Sequence, residues 1–96
     1  MDFQRGDHRI YTRSEQGKTV AEITFPRVAE GKVDINHTFV DHSLRGQGVA
    51  DQLVRAAVNE LREKDLKCEV SCSYAKQWFE DHPECADLLC AQDRDK

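Results

Sequence analysis

Apolar and polar residues alternate along the first part of the chain, and turn residues interrupt the alternation. The pattern predicts a first strand over residues 9–13, followed by a turn that ends in Gly17, a residue that adopts positive φ at little cost. A second strand is predicted over residues 18–25 and a third over residues 32–40, with a loop between them. The odd-numbered residues of the third strand are expected to share one mostly apolar face.

After Gly48 the period of the apolar residues changes to that of an α-helix. One helical stripe is formed by Ala50, Leu53, Val54, Ala57, Val58 and Leu61. A short strand over residues 66–72 follows, and a crossover through this helix makes it parallel to the third strand. Residues 74–81 are helical in pattern, and Pro83 suits the first turn of a last helix.

These elements predict one domain over residues 1–96, with both ends, residues 1–7 and 92–96, disordered. The expected class is α/β (α+β), with a mixed, mostly antiparallel four-stranded sheet and helices packed on it.

Composition limits the possible functions. Hydrophobic residues make up 39% of the chain and charged residues 33%, and no apolar stretch approaches the length of a membrane span. No signal segment is apparent, so a cytoplasmic location is expected. The formal net charge is −4 and the basic residues form no stripe, which argues against a nucleic-acid partner.

The chain has four cysteines: Cys68, Cys72, Cys85 and Cys90. Without a signal segment, free thiols are favoured over two disulfides. No two of the cysteines are separated by the two residues that are typical of a zinc knuckle in a structural zinc site, so no metal is expected.

A glycine-rich turn, Arg45-Gly46-Gln47-Gly48, joins the third strand to the long helix. Such a turn places free backbone N–H groups at the positive end of the helix dipole, where anions bind. The glycines let an anion approach the backbone, and Arg45 adds a charged donor. A P-loop needs Lys and Ser/Thr after the second glycine, and a dinucleotide fingerprint needs a small residue at Asp51, so both fit poorly. The turn therefore predicts a phosphate site of another kind.

The turn resembles the Arg/Gln-x-x-Gly-x-Gly/Ala signature of the GNAT acetyltransferase superfamily, which reads here Arg45-Gly46-Gln47-Gly48-Val49-Ala50. Further motifs resemble a small, minimal subgroup that carries His-Thr-Glu-Val, Cys-x-Tyr and His-Pro-Glu. They appear here as His37-Thr38-Phe39-Val40, Cys72-Ser73-Tyr74 and His82-Pro83-Glu84. Phe39 stands where the subgroup usually has Glu, so a carboxylate base at this position is not expected.

The resemblance implies acetyl-coenzyme A (coenzyme A, CoA) as the cofactor and an amine, of a small molecule or a protein, as the acceptor. The implied cofactor-binding residues are Thr38, Val40, Leu44, Arg45, Gly46, Gln47, Gly48, Val49 and Ala50. Backbone groups of Thr38 and Val40 would align the pantetheine arm, and one N–H would donate to the thioester carbonyl.

Three residues are candidates for catalysis: Cys72, His37 and Tyr74. The resemblance gives Tyr74 the position from which GNAT enzymes protonate the leaving thiolate, and a phenol with a reference pKa of about 10 suits this role. The alternative is a tyrosine that packs at the start of a helix.

Cys72 and His37 also have two interpretations each. Cys72 follows a strand and precedes a helix, so its thiolate could be stabilised by the helix dipole and accept the acetyl group. Alternatively, Cys68, Val70 and Cys72 form the apolar face of a strand. His37 could act as a general base or as a hydrogen-bonded core residue, whereas His82, in a helix break, is expected to be structural.

Three functional hypotheses remain. The first is an N-acetyltransferase. The second is a CoA-binding module with little or no transferase activity, which the absence of a carboxylate at Phe39 favours. The third is a small protein-interaction domain that exposes Trp78 and Phe79 as a docking patch, although both residues would also complete the core.

Overall fold

The computed structural model describes residues 3–89. Within this range the strands are β1 (Gln4–Gly6), β2 (Arg9–Arg13), β3 (Thr19–Thr24), β4 (Arg27–Ala29), β5 (Lys32–Ile35), β6 (His37–Val40) and β7 (Lys67–Val70). The α-helices are α1 (Val49–Glu63) and α2 (Ser73–Asp81). Short 3-10 helices cover His42–Leu44 and Pro83–Leu88, so the last predicted helix is a 3-10 helix rather than an α-helix.

The described strands form two sheets rather than the one four-stranded sheet that we predicted. The first sheet is antiparallel and has the order β1-β2-β3-β6. The second has the order β4-β5-β7, and β5 and β7 are parallel because α1 crosses over between them. The α/β class with mostly antiparallel pairing is confirmed, but the number of strands and sheets is corrected.

The predicted third strand is broken at Asn36, which is why the sheet divides. The backbone N–H of Asn36 donates to the carbonyl of Thr24 at 3.2 Å, and its side-chain oxygen accepts from the Thr24 hydroxyl at 2.6 Å. Before the break Ile35 is fully buried, whereas His37 and Phe39 beyond it are exposed. The extra residue shifts the alternation by one, so the prediction of a shared face for the odd-numbered residues is wrong.

Two short strands were missed. β1 lies in the segment that we expected to be disordered, and β4 lies in the predicted loop between the second and third strands. Each has three residues and few or no buried side chains, so neither shows the alternation that indicates a strand. The expected disorder of residues 92–96 lies outside the described residues, as does Cys90.

The core lies between the helices and the inner faces of the sheets. α1 packs on β2, β3 and β6 with its predicted apolar stripe, in which Leu53, Val54 and Leu61 are fully buried. Trp78 and Phe79 are only 4% and 3% exposed and pack edge to face. They complete the core, so the hypothesis that they form an exposed docking patch is wrong. None of the helices in the described part of the chain is long and apolar enough to span a bilayer.

Candidate functional site

A cleft of about 360 Å³ opens between the start of α1, the strand β6 and the first turn of α2. Its lining residues are Thr38, Val40, Leu44, Arg45, Gly46, Gly48, Val49, Ala50, Asp51 and Tyr74. Of the residues that we predicted for cofactor binding, Gln47 is not among the lining residues. Its side-chain amide instead lies 3.5 Å from the backbone carbonyl of Ser43.

The glycine turn presents backbone donors to this cleft. Gly46 and Gly48 have φ values of 84° and 73°, in the left-handed region that favours glycine. Gly48 is the N-cap of α1 and provides no side-chain cap. The first helical hydrogen bond runs from the N–H of Gln52 to the carbonyl of Gly48, so the N–H groups of Val49, Ala50 and Asp51 have no acceptor within the helix. Because no atom lies within 4 Å of a Cβ added at either glycine, the approach to the turn is open.

A capped 3-10 turn positions the residues that lead into the glycine turn. The Asp41 carboxylate accepts from the hydroxyl and the backbone N–H of Ser43, at 2.6 and 3.1 Å. These hydrogen bonds lower the pKa of Asp41. The turn sets Leu44 against the core and directs the chain at Arg45 into the cleft.

Cys72 lies where the two sheets separate. The N–H groups of Ser71 and Cys72 both donate to the carbonyl of Ile35, each at 3.1 Å, and this ends the parallel pairing of β5 with β7. Cys72 is the N-cap residue of α2, and its Sγ lies 3.4 Å from the hydroxyl of Thr38 in the cleft wall. Cys68 is fully buried on the strand face, whereas Cys72 is only half-buried. Cys72 therefore packs against the edge of the core and also contacts the cleft wall, so neither interpretation of this residue is excluded.

Tyr74 lies two residues after Cys72, in the first turn of α2, and is 42% exposed on the cleft wall. Partial burial raises the pKa of its phenol, and the negative charges of Asp51 and of an ionised Cys72 raise it further. Tyr74 therefore stays protonated in neutral solution and can donate a proton or a hydrogen bond into the cleft.

His37 lies on the other side of β6. In the pairing of β3 with β6, Thr38 stands opposite the buried Ile23, and His37 stands opposite Thr24. Because directly opposed residues point to the same face of a sheet, Thr38 faces the cleft and His37 faces away from it. The structure brings Cys72, Thr38 and Tyr74 together but does not bring His37 to them.

Asp51 is the cleft residue that the sequence analysis missed. Its carboxylate accepts from the indole N–H of Trp78 at 2.7 Å and from Nε of Arg55 at 2.9 Å. The hydrogen bond from Trp78, followed by the contact with Arg55, lowers the pKa of Asp51, so the group is ionised at neutral pH. The sequence could have indicated this position of Asp51, because a residue three positions after Gly48 lies about one helical turn further along the same face of the helix.

Cys72 and Cys85 are free thiols. Across residues 3–89, no three side chains of the metal-ligating types cluster closely enough to hold an ion.

Comparison with known proteins identifies relatives of this chain. The sequence profile described as GCN5-related N-acetyl-transferase matches residues 9–88. Protein NATD1 of Xenopus tropicalis is 33% identical over 63 residues, which are 66% of this chain and 58% of that protein. Protein NATD1 of Danio rerio is 32% identical over 82 residues, which are 85% of this chain and 73% of the relative. The match with the Xenopus protein thus spans little more than half of its length.

Solved structures show the same architecture. A GCN5-like protein of Staphylococcus aureus superposes with a TM-score of 0.77 and 34% identity, over 93% of this chain and 87% of that one. A ribosomal-protein-alanine N-acetyltransferase of Brucella melitensis superposes with a TM-score of 0.60 and 19% identity, over 76% of this chain and 59% of that one. At 19% identity, the likeness to the Brucella enzyme concerns the fold alone.

Proposed function

Because this chain belongs to the GCN5-related N-acetyltransferase family, we propose that it binds acetyl-CoA in the cleft and transfers the acetyl group to an amine. One observation carries the proposal. The open backbone donors of the glycine turn share a cleft with the Tyr74 phenol, and the Cys72 thiol contacts the same cleft wall. The first feature suits a pyrophosphate, and the other two suit acyl transfer.

The residues of the cleft fit the coenzyme along its length. The pyrophosphate would accept from the N–H groups at the start of α1, beside the guanidinium of Arg45. The pantetheine arm would lie along β6 at Thr38 and Val40, because β6 is the edge strand of its sheet and has backbone groups free on one side. The coenzyme supplies an activated acetyl group as a thioester.

In the transfer, the thioester C–S bond breaks, a C–N bond forms to the amine, and the amine loses a proton to water. The departing thiolate must then be protonated. Tyr74 is the proton donor in this proposal, because its phenol lines the cleft and its raised pKa keeps it protonated, and the phenolate regains its proton from solvent. An N–H of the edge strand β6 would stabilise the oxyanion.

Cys72 opens a covalent route in two steps. Its Sγ would first form a new thioester with the acetyl group, while the coenzyme leaves as a thiolate that takes the Tyr74 proton. The amine would then attack acetyl-Cys72, so that a C–N bond forms, the C–Sγ bond breaks and the Cys72 thiolate is regenerated. Cys72 is the N-cap residue of α2, and the neighbouring Thr38 hydroxyl can donate to a thiolate formed there. The direct route needs no such intermediate.

A CoA-binding module without transferase activity is the second candidate. It is favoured by the position of His37 on the face away from the cleft and by Phe39 in place of a glutamate, because neither residue then supplies a base to the cleft. Binding without turnover would be the signature of this function.

The two functions are separated by incubating the protein with acetyl-CoA and primary amines, including a polyamine and a lysine peptide. A transferase releases the CoA thiol over many turnovers only when an accepted amine is present, and Tyr74→Phe lowers the rate at least about ten-fold. Tyr11→Phe is the matched control, because Tyr11 lies on β2, outside the cleft lining. Intact mass after incubation without amine shows whether one acetyl group is added and whether Cys72→Ala prevents it. Coenzyme binding with no thiol release from any amine would contradict the transferase.

A further inference from the structure

Asp51 is the acidic residue of the first turn of α1, at the third helical position after the Gly48 cap. Carboxylates at this position commonly fold back and accept from the free N–H groups of the helix start. In this chain those N–H groups face the cleft in which phosphates are proposed to bind. A carboxylate that folded back would accept hydrogen bonds from these N–H groups in place of a phosphate, and its charge would repel the phosphate.

The structure holds the Asp51 carboxylate to the side instead. One oxygen accepts from the indole N–H of Trp78 on α2, at 2.7 Å, and the other from Nε of Arg55 one turn further along α1, at 2.9 Å. Trp78 is 4% exposed, so its position is fixed by the core.

Arg55 is itself held by His82. The Nδ1 atom of His82 lies 2.7 Å from the backbone carbonyl of Trp78, and Nε2 lies 3.2 Å from a terminal nitrogen of Arg55. A carbonyl only accepts and a guanidinium only donates, so Nδ1 carries the proton and Nε2 accepts. The His82 ring also stacks on the Trp78 ring, with centroids 3.9 Å apart. The side chains of Asp51, Trp78, His82 and Arg55 therefore form a ring of contacts between α1 and the end of α2, in which each contacts the next.

We infer that Trp78 and Arg55 are positioning residues for coenzyme binding, which hold the Asp51 carboxylate off the start of α1 and keep the backbone donors open. The inference rests on the proposed binding of CoA. Its consequence is specific: loss of either tether releases a competing anion at the phosphate site. Neutralising Asp51 then removes the penalty, because no anion remains to compete.

The test is calorimetric titration with CoA of the wild type and of Trp78→Phe, each with and without Asp51→Asn. With Asp51 present, Trp78→Phe raises Kd at least about five-fold, the effect of one charged hydrogen bond or short-range repulsion. In the Asp51→Asn background the same substitution changes Kd by less than about two-fold.

Arg55→Gln provides a second tether variant on an exposed side chain, where folding is not at risk. It is expected to weaken CoA binding in the same Asp51-dependent way. Arg62→Gln is the matched control for lost charge, because Arg62 lies on the same helix but pairs with Asp87 at 2.7 Å. Arg62→Gln should leave Kd unchanged.

An independent readout needs no ligand. Trp78 is the one tryptophan of the sequence, so a single indole N–H signal in NMR spectra reports its bond to Asp51. Asp51→Asn and Arg55→Gln are expected to shift it, and Arg62→Gln is not. Equal losses of affinity from Trp78→Phe in both backgrounds, or an unmoved indole signal, would overturn the inference alone. Failure of the wild type to bind CoA would overturn the proposed function and this inference together.

Discussion

The thiol of Cys72 and the hydroxyl of Thr38 lie 3.4 Å apart and link the start of α2 to β6. The contact bridges the place where the two sheets separate. The candidate nucleophile is therefore held against a residue that lines the cleft, although the two are distant in sequence.

Thr38→Val is predicted to slow alkylation of Cys72 about five-fold, because the hydroxyl can donate to the thiolate that attacks the reagent. The rate is measured with iodoacetamide, and mass spectrometry identifies the modified cysteine. Thr38→Ser keeps the hydroxyl and should react like the wild type. An unchanged rate in Thr38→Val would show that the hydroxyl does not support the thiolate.

Gly48→Ala is predicted to destabilise the chain by about 1 kcal/mol in urea unfolding, since a residue with Cβ is strained at positive φ. Space is not the cause, because no atom lies within 4 Å of the added Cβ. Gly17 has a φ of 83° and equally open surroundings, so Gly17→Ala should cost a similar amount. CoA affinity should fall in Gly48→Ala only. If both variants lost affinity, the cause would be backbone strain rather than the position of Gly48 in the cleft.

The phenol of Tyr74 is predicted to titrate above the usual value of about 10, because burial and the charge of Asp51 favour its neutral form. The phenolate absorbance of Tyr11→Phe, in which Tyr74 is the remaining tyrosine, measures this pKa. Asp51→Asn should lower it. The folded chain holds the proton more tightly than the unfolded chain, so stability from this group is present below about pH 10 and falls as pH rises. A midpoint insensitive to Asp51→Asn would contradict the electrostatic contribution.

Arg5→Ala is predicted to loosen β1. Nε of Arg5 lies 3.5 Å from the carboxylate of Glu60, whose side chain is 2% exposed, and a buried carboxylate needs its cationic partners. Glu60 keeps Lys64 at 3.2 Å, so the chain should stay folded while amide exchange in β1 becomes faster. Arg27→Ala, on the exposed strand β4, serves as the control. Unchanged exchange in β1 would mean that this ion pair does not anchor the strand.

The periodicity of apolar residues was sufficient to locate the helices and strands that bury one face. The stripe of α1 and the first strand over residues 9–13 were located correctly, because alternation and helical spacing are local properties of the sequence. The glycine turn was equally visible, since positive φ and an open approach both require glycine.

Contacts between residues distant in the sequence determine the features that the periodicity did not predict. The break at Asn36 depends on hydrogen bonds to Thr24 on another strand, and it turned His37 away from the cleft. The place of Asp51 depends on Trp78, which lies far along the chain. Neither partner could be inferred from the local pattern around Asn36 or Asp51.

Calorimetric titration with acetyl-CoA of the wild type and of Gly48→Glu tests the glycine turn as the phosphate site, with circular dichroism to show that α1 persists. We predict micromolar binding by the wild type and none by the variant, because the new carboxylate would occupy the phosphate site and repel the phosphates. Equal affinity in both proteins would contradict the glycine turn as the phosphate site, and no binding by the wild type would contradict CoA as the ligand.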